Sequence, residues 1–316
     1  MRAAIRPSET IERIARESGL TPHVSRDVGP AWHVAVFRRA RYTNRETATS
    51  YRGFRSEARA RGMTIRVDPE ENEIGALFDF VDLDGRRVLE IGSGDGRLTW
   101  RYAHRAATVT AVEPFAPSVT RATENLPQEL VGRVVLRRAA FEEFAAEAAA
   151  STFDVAILSW SLCCMDRDDM IPALEETHRL LGPSGTLIDI HPVPGTAEVE
   201  VHSAGQVVFA EPASASADEG ELHADEALAQ AVARGLFVSE RHTEFDFRIY
   251  GSSGRELRDF LAEADAHSNQ AGEEASDAFK SELFARVDRI IAGKAGAAEV
   301  AYHERAQVTR LRPVIM

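Results

Sequence analysis

Two short runs of the sequence combine acidic residues with glycines at a spacing that suits a bound cofactor. In the first run, VLEIGSGDG, Glu90 is followed by Gly92, Gly94 and Gly96. In the second run, VTAVEP, Glu113 directly follows a mostly apolar stretch. The pattern predicts a strand that enters a glycine turn and a helix, and then a second strand that ends in a carboxylate. Parallel α/β sheets bind ribose-bearing cofactors with this arrangement, at the carboxyl ends of the strands.

The spacing of the glycines separates two classes of cofactor. A dinucleotide fingerprint has glycines at its first, third and sixth positions, where the last one lets the helix pack closely on the strand. Here the glycines occupy the first, third and fifth positions, and Arg97 stands at the sixth. Glu90, just before the loop, is a poor neighbour for a pyrophosphate and a good one for a cationic ligand. The spacing therefore argues against a dinucleotide.

The run EIGSGDG resembles the first motif of the class I S-adenosylmethionine-dependent methyltransferases, in which an acidic residue precedes three alternating glycines. The resemblance, to small-molecule enzymes of the type-11 kind, covers about residues 70–192. The segment from Phe153, FDVAILSWSLCC, resembles the family's fourth strand and the turn after it. The segment from Leu180, LLGPSGTLI, resembles the family's pattern of a leucine, then Pro-Gly-Gly, then a strand. Ser184 takes the place of the first glycine of that pattern. The implied cofactor is S-adenosyl-L-methionine, and the implied partner is a small-molecule acceptor.

The resemblance also implies which residues bind the cofactor. The loop backbone would wrap the methionine part with Glu90 near its ammonium group, and Glu113 would accept both ribose hydroxyls. Ala139 stands where the family often has an acid for the adenine amine, so backbone groups of Ala140 or the ring of Phe141 would take over, with Glu142 as an alternative. The expected cofactor-binding residues are Glu90, Gly92, Ser93, Gly94, Asp95, Gly96, Glu113, Pro114, Ala140, Phe141, Ser159 and Trp160.

His191 is the predicted catalytic residue, as general base for an acceptor that must lose a proton. It comes at the end of the predicted fifth strand, and histidine titrates near neutral pH. The alternative, that His191 only hydrogen-bonds the loop, stays open at this stage. No metal is expected, because the vicinal pair Cys163 and Cys164 gives too few ligands and is read as small apolar side chains.

Charge and cysteine content narrow the classes of function. The net charge is −13, yet residues 1–66 carry fourteen arginines against six acids, so the remaining residues carry −21. An acidic body repels phosphate, and nucleic acid is therefore not expected as a substrate. No apolar run is long enough to span a bilayer, and no secretory segment is visible at the N-terminus. With only two adjacent cysteines, these features predict a cytoplasmic protein that does not act at a membrane.

The order of apolar runs indicates an α/β fold, a doubly wound and mostly parallel Rossmann-like sheet of seven strands with helices on both faces. The last two strands are expected at 237–250 and 299–312, and the resemblance implies that they pair antiparallel at one edge. A hairpin at 198–209 and helices at 254–292 are additions, either a cap over the pocket or a widening of the core. The other five strands are expected near 87–91, 108–113, 133–137, 153–159 and 185–190.

Three regions follow along the chain. Residues 1–66 are an Arg-rich extension of helix, strand and linker helix, residues 67–196 are the S-adenosylmethionine-binding core, and residues 197–316 hold the accessory elements and the last two strands. In the extension, a helix begins near Ser8 and a strand covers 31–37. The extension is compatible with an edge strand, a homodimer contact or a remnant without function, and sequence alone leaves all three open.

Two other functions remain open from sequence. One is an NAD(P)-dependent Rossmann-type enzyme, against which the missing sixth-position glycine argues. The other is a non-catalytic protein that keeps a cofactor fold, against which the intact Glu90, glycine loop and Glu113 argue.

Overall fold

The structure is a computed structural model, and it describes residues 21–27, 33–38, 64–213, 219–265, 274–293 and 298–314. Contacts divide the chain into two units, residues 1–49 and 50–316. The first unit contains an antiparallel pair, β1 (Thr21–Asp27) and β2 (His33–Arg38). The sequence predicted the second of these strands and missed the first. The helix predicted near Ser8 lies outside the described residues, and the predicted region boundaries at residues 66 and 196 stay predictions.

Five parallel strands occupy the predicted positions in the second unit. They lie in the spatial order β6, β5, β4, β7, β8. Neighbouring side chains such as Val88 and Leu89 point to opposite faces of the sheet, and both are fully buried. These strands are continuous apolar runs because helices cover both faces. Their bounds are β4 Arg87–Ile91, β5 Thr108–Val112, β6 Val134–Arg137, β7 Phe153–Ser159 and β8 Leu181–Pro192.

The helices pack in layers on the two faces of the sheet. On one face, Leu77 and Phe80 of α1 belong to the same core cluster as Val88 and Val109. On the other face, Leu174 of α5 packs in a cluster with Leu89. The helices with described bounds are α1 Asn72–Phe80, α2 Thr99–Tyr102, α3 Ala116–Asn125, α4 Phe141–Glu147, α5 Arg167–Leu180, α6 Glu219–Ala233, α7 Gly254–Asp265 and α8 Glu274–Ala292.

The C-terminal strands complete the same sheet. β12 (Ala298–Pro313) runs antiparallel between β8 and β11 (Phe237–Gly251), which confirms the predicted antiparallel pair. The first half of β12 extends beyond β8 and pairs with the predicted hairpin, β9 (Glu198–Ser203) and β10 (Gln206–Pro212). β3 (Arg66–Val67) pairs with the end of β11. The predicted seven strands are therefore present, and β3, β9 and β10 bring the sheet to ten strands among the described residues.

The added helices α7 and α8 pack on the outer part of the sheet. Leu257 of α7 and Val287 of α8 share a buried cluster with Val199 and Val300, so these helices extend the hydrophobic core. β10 ends at Pro212, and α6 begins at Glu219. Within the described ranges, no helix has both the length and the apolar character needed to cross a bilayer.

Candidate active site

Two loops meet where the order of the parallel strands reverses. From β4 the chain continues to β5 on one side and later places β7 on the other side. In open α/β sheets, ligands bind in the crevice outside the strands at this point. The loop after β4 and the turn after β7 are in contact, since a Cβ atom added to Gly92 would lie 2.4 Å from the Cβ atom of Ser161.

The three loop glycines are needed for different reasons. Gly92, Gly94 and Gly96 all have positive φ angles, of 75°, 56° and 87°. A Cβ atom on Gly96 would lie 2.1 Å from the ring of Trp100, so Gly92 and Gly96 are required by packing as well as by conformation. An added Cβ on Gly94 would meet nothing within 4 Å. The backbone at Gly94 therefore faces open space, which permits close approach of a ligand.

Glu113 is held in place by the backbone of two loops. The N–H of Gly94 donates to its Oε2 at 2.9 Å, and the N–H of Phe115 donates to its Oε1 at 2.8 Å. A carboxylate has about four acceptor positions, so each oxygen retains capacity for one further donor. This arrangement fits a ribose, whose two neighbouring hydroxyls can each donate to one oxygen.

Glu90 lies under the glycine loop and is 2% exposed. Thr99 Oγ1 and Tyr102 OH donate to its Oε2 at 2.6 and 2.7 Å. Burial raises the pKa of Glu90 to about 7, although the two hydroxyls act in the opposite direction. A nearby cation would favour its ionised form. The helix that follows the glycine loop, α2, has only four residues. Its dipole therefore adds little to anion binding.

Two buried hydroxyls lie at the meeting point of the loops. Ser93 Oγ and Ser161 Oγ make no hydrogen bond within the described part of the chain. Buried polar groups are normally hydrogen-bonded, so such exceptions need an explanation. The donor set of backbone N–H groups, hydroxyls and two carboxylates fits a ligand with an amino acid end and a ribose. Asp95, half-buried in the same loop, accepts from the N–H of Arg97 at 3.3 Å.

The two residues expected to contact adenine differ in their exposure. Phe141 is 8% exposed and packs in the core with Leu89 and Val112, so its ring is not presented to a base. Ala140, before α4, is half-buried. Phe115, which the sequence analysis missed, is 36% exposed. It follows Glu113 and the exposed Pro114. Its place two residues after the carboxylate assigned to the ribose could have identified it from sequence.

Trp160 holds a strained position at the end of β7. Its φ angle is +51°, which is rare for a bulky residue and concentrates at functional sites. Its ring lies 4.6 Å from the ring of Phe247 on β11, and its Nε1 donates to Glu304 of β12 at 3.4 Å. Tyr302 OH also donates to Glu304, at 3.3 Å. The sequence analysis missed Phe247 and Glu304, because only the sheet brings these distant strands together.

Ser159 is engaged in an ion-pair network. Its hydroxyl donates to Glu73 Oε1 at 2.8 Å, and Glu73, fully buried on α1, is paired with Arg97. Burial alone would raise the pKa of Glu73, but Arg97 and its other partners lower it. Arg97 also lies over the ring of Trp160, 5.8 Å from its centroid. Arg97, whose position in the glycine loop argued against a dinucleotide, thus connects that loop to α1 and to Trp160.

His191 is fully buried, with partners at both ring nitrogens. Nδ1 lies 2.5 Å from Asp189 Oδ2, while Nε2 lies 3.3 Å from Asp225 Oδ1 and 2.7 Å from the amide nitrogen of Gln307. Burial lowers the pKa of His191, but the two aspartates outweigh it and raise the pKa to about 10. These contacts argue against the predicted base, which needs access to the acceptor and a deprotonated form at neutral pH. They favour the structural alternative.

Comparison with known proteins is consistent with this geometry. Residues 88–185 match the family model described as a methyltransferase domain. Among solved structures, a protein from Bacillus halodurans C-125 aligns with 11% identity and a TM-score of 0.46, covering 76% of this chain and 98% of its own. The YcgJ protein from Bacillus subtilis aligns with 13% identity and a TM-score of 0.46, covering 77% and 98%.

An S-adenosylmethionine-dependent methyltransferase from Mesorhizobium loti aligns with 16% identity and a TM-score of 0.40, covering 74% of this chain and 97% of its own. Comparison with the curated proteins gave no match. The domain match begins at β4 and includes the glycine loop, Glu113 and Trp160. Residues 88–185 are therefore a methyltransferase domain.

Proposed function

We propose that this protein is a class I, S-adenosylmethionine-dependent methyltransferase, which transfers a methyl group to a small-molecule acceptor by in-line displacement. The observation that carries the proposal is the setting of Glu113. Its carboxylate is fixed by the N–H groups of Gly94 and Phe115 and retains one acceptor position on each oxygen. Two adjacent ribose hydroxyls match that pair of positions, and a pyrophosphate does not.

The methionine end of the cofactor would lie along the glycine loop. Both hydroxyl contacts to Glu90 are made to Oε2, and among the described residues no donor is recorded for Oε1. We assign that oxygen to the cofactor's ammonium group. The hydroxyls of Ser93 and Ser161 would donate to its carboxylate, which would satisfy two buried groups that otherwise have no partner. At the other end, the exposed ring of Phe115 and the backbone of Ala140 would contact the adenine.

The acceptor would lie on the side of Trp160. The ring of the half-buried Trp160 packs against the buried ring of Phe247, and Glu304 accepts from Trp160 Nε1 next to it. The accessible part of the Trp160 ring would bind a flat or apolar acceptor. When bound, the cofactor supplies an activated methyl group, so the residues contribute mainly orientation, worth roughly 7–11 kcal/mol.

Charge supports a small acceptor over a nucleic acid. Residues 67–316 carry a net charge of −21, and two arginines near the glycine loop are paired, Arg97 with Glu73 and Arg101 with Asp68. This net charge would repel a phosphate backbone. A cytoplasmic location and homodimer formation stay predictions.

Calorimetric titration tests the cofactor assignment directly. We expect S-adenosylmethionine and S-adenosylhomocysteine to bind with one site per chain and NADH to show no saturable binding. The acceptor can then be sought by measuring release of S-adenosylhomocysteine against a panel of phenols, amines and carboxylic acids. Binding of NADH, or no binding of either S-adenosyl compound at millimolar concentration, would contradict the proposal.

A further inference from the structure

A second group of ligating side chains lies in the outer part of the sheet, away from the glycine loop. Glu198 and Glu200 extend from the same face of β9, and His303 extends from β12, where it pairs in register with Glu198. One ligand atom from each of the three residues lies within 4.8 Å of the others. The cluster thus joins the added hairpin to the main sheet.

The contact between Glu200 and His303 suits a shared ion better than a hydrogen bond. Nδ1 of His303 is buried and lies 3.0 Å from Oε1 of Glu200, an ion-pair distance at which the angles of a good hydrogen bond are not met. Two ligands bound to one ion at about 2.1 Å, with an angle between 90° and the tetrahedral value, lie roughly 3.0–3.4 Å apart. The observed separation falls in that range.

The surrounding residues orient the same atoms. Nε2 of His303 lies 3.0 Å from Asp246 Oδ1, which leaves Nδ1 as the ligating nitrogen. A carboxylate bonded to the second nitrogen of a histidine is the usual outer contact of a metal-bound imidazole. The other oxygen of Glu200, Oε2, accepts from His202 at 2.7 Å and from Arg248 at 3.2 Å. Those contacts turn Oε1 towards His303.

Charge balance favours a cation at this position. Glu198, Glu200 and Asp246 contribute three carboxylates, and Arg248 is the permanent cation that contacts them. Within the described part of the chain, Glu198 has no recorded side-chain hydrogen bond or ion pair. An imidazole with carboxylates is a donor set of first-row transition metals, while Mg²⁺ and Ca²⁺ prefer oxygen ligands alone.

We propose that Glu198, Glu200 and His303 bind a divalent first-row transition metal ion, such as Zn²⁺ or Mn²⁺, which clamps β9 to β12. The site lies outside the residues assigned to the cofactor. Its role is structural, because its ligands come from the strands that attach the hairpin to the sheet.

The test is a metal titration of the full-length protein after treatment with a chelator. We expect Zn²⁺ or Mn²⁺ to bind at one site per chain and to raise the melting temperature, and Mg²⁺ to have no comparable effect. Glu198→Gln is the decisive variant, because it removes a ligand without breaking a recorded contact. It should fold normally without metal and lose at least tenfold in metal affinity. Glu129→Gln, which removes an exposed carboxylate elsewhere in the chain, is the matched control and should bind metal normally.

His303→Gln gives a second readout and should also weaken metal binding. If the wild-type protein binds neither ion, or if Glu198→Gln and His303→Gln bind as the wild type does, the proposal is wrong and the cluster is a self-contained ion-pair network. Affinity for S-adenosylhomocysteine, measured on the same samples, should be unchanged by Glu198→Gln. This measurement separates failure of the metal site from failure of the cofactor assignment.

Discussion

Gly92 and Ser161 touch so closely that a Cβ atom on Gly92 would come within 2.4 Å of the Cβ atom of Ser161. The glycine loop after β4 and the turn after β7 are therefore fitted to each other at the backbone level. Because one loop carries the glycines that we assign to the cofactor and the other carries Trp160, this contact sets the spacing between the two halves of the proposed site.

We expect Gly92→Ala to destabilise the protein by about 2–5 kcal/mol, since it adds overpacking to the strain of a positive φ angle. Gly132→Ala is the matched control, because Gly132 has a φ angle of +85° but open space around an added Cβ. It should cost only the conformational strain, about 1–2 kcal/mol. Chemical denaturation measures both. Equal losses in the two variants would contradict the close contact.

Glu113→Ala should weaken binding of S-adenosylhomocysteine by at least about 100-fold, because two hydrogen bonds to a charged acceptor are lost, each worth about 1.5–3 kcal/mol. Glu113→Gln should lose less, since one acceptor oxygen remains. Glu124→Ala, at an exposed position on α3, should bind normally. Calorimetry measures all three. Unchanged affinity in Glu113→Ala would refute the ribose assignment.

The pH dependence of stability should report the burial of Glu90. Its pKa rises from 4.5 in the unfolded chain to about 7 in the folded protein, so the folded state binds more protons in this window. Stability should therefore fall as the pH rises from 4.5 to 7, by up to roughly 3 kcal/mol. Glu90→Gln keeps acceptors for Thr99 and Tyr102 and should lack that decrease. Parallel pH profiles of denaturation for the wild type and the variant would be evidence against a buried, titrating Glu90.

His191→Gln should lower the free energy of unfolding at pH 7 by about 3–5 kcal/mol, because it leaves the buried Asp189 without its charged partner. Asp225→Asn should cost less, since the side chain of Asp225 is 47% exposed. Neither variant should change affinity for S-adenosylhomocysteine. The pKa of His191 is raised to about 10, so its stabilising contribution should be complete below pH 6.5 and lost as the pH rises through 10. If His191→Gln is as stable as the wild type but inactive with an identified acceptor, the base assignment should be restored.

The core of the fold was predictable because it depends on local patterns. Apolar runs between glycine and proline signals identified β4 to β8 within a few residues, apart from the early start of β8 at Leu181. The antiparallel pair of β11 and β12 was expected from the resemblance and not from any local pattern. β1 was missed, since its sequence TPHVSRD has little apolar alternation.

The cofactor side of the site was predictable for the same reason. Glu90, the glycine loop and Glu113 lie at the ends of two consecutive parallel strands, whose carboxyl ends meet at one edge of the sheet. Phe141 shows the limit of that reasoning. An aromatic residue after a strand can face a ligand or the core, and packing against Leu89 and Val112 directs Phe141 to the core.

The sequence by itself determined the fold class and led to the proposed cofactor and the two carboxylates assigned to it, because each depends on spacing within a short segment. Only the tertiary structure decided what surrounds the other groups. His191 became a buried ion-pair partner because β12 places Gln307 beside it and α6 places Asp225 beside it. The set of Trp160, Phe247 and Glu304, and the cluster of Glu198, Glu200 and His303, arise where separate strands meet. Their proximity depends on how the sheet is ordered, and no local spacing encodes that order.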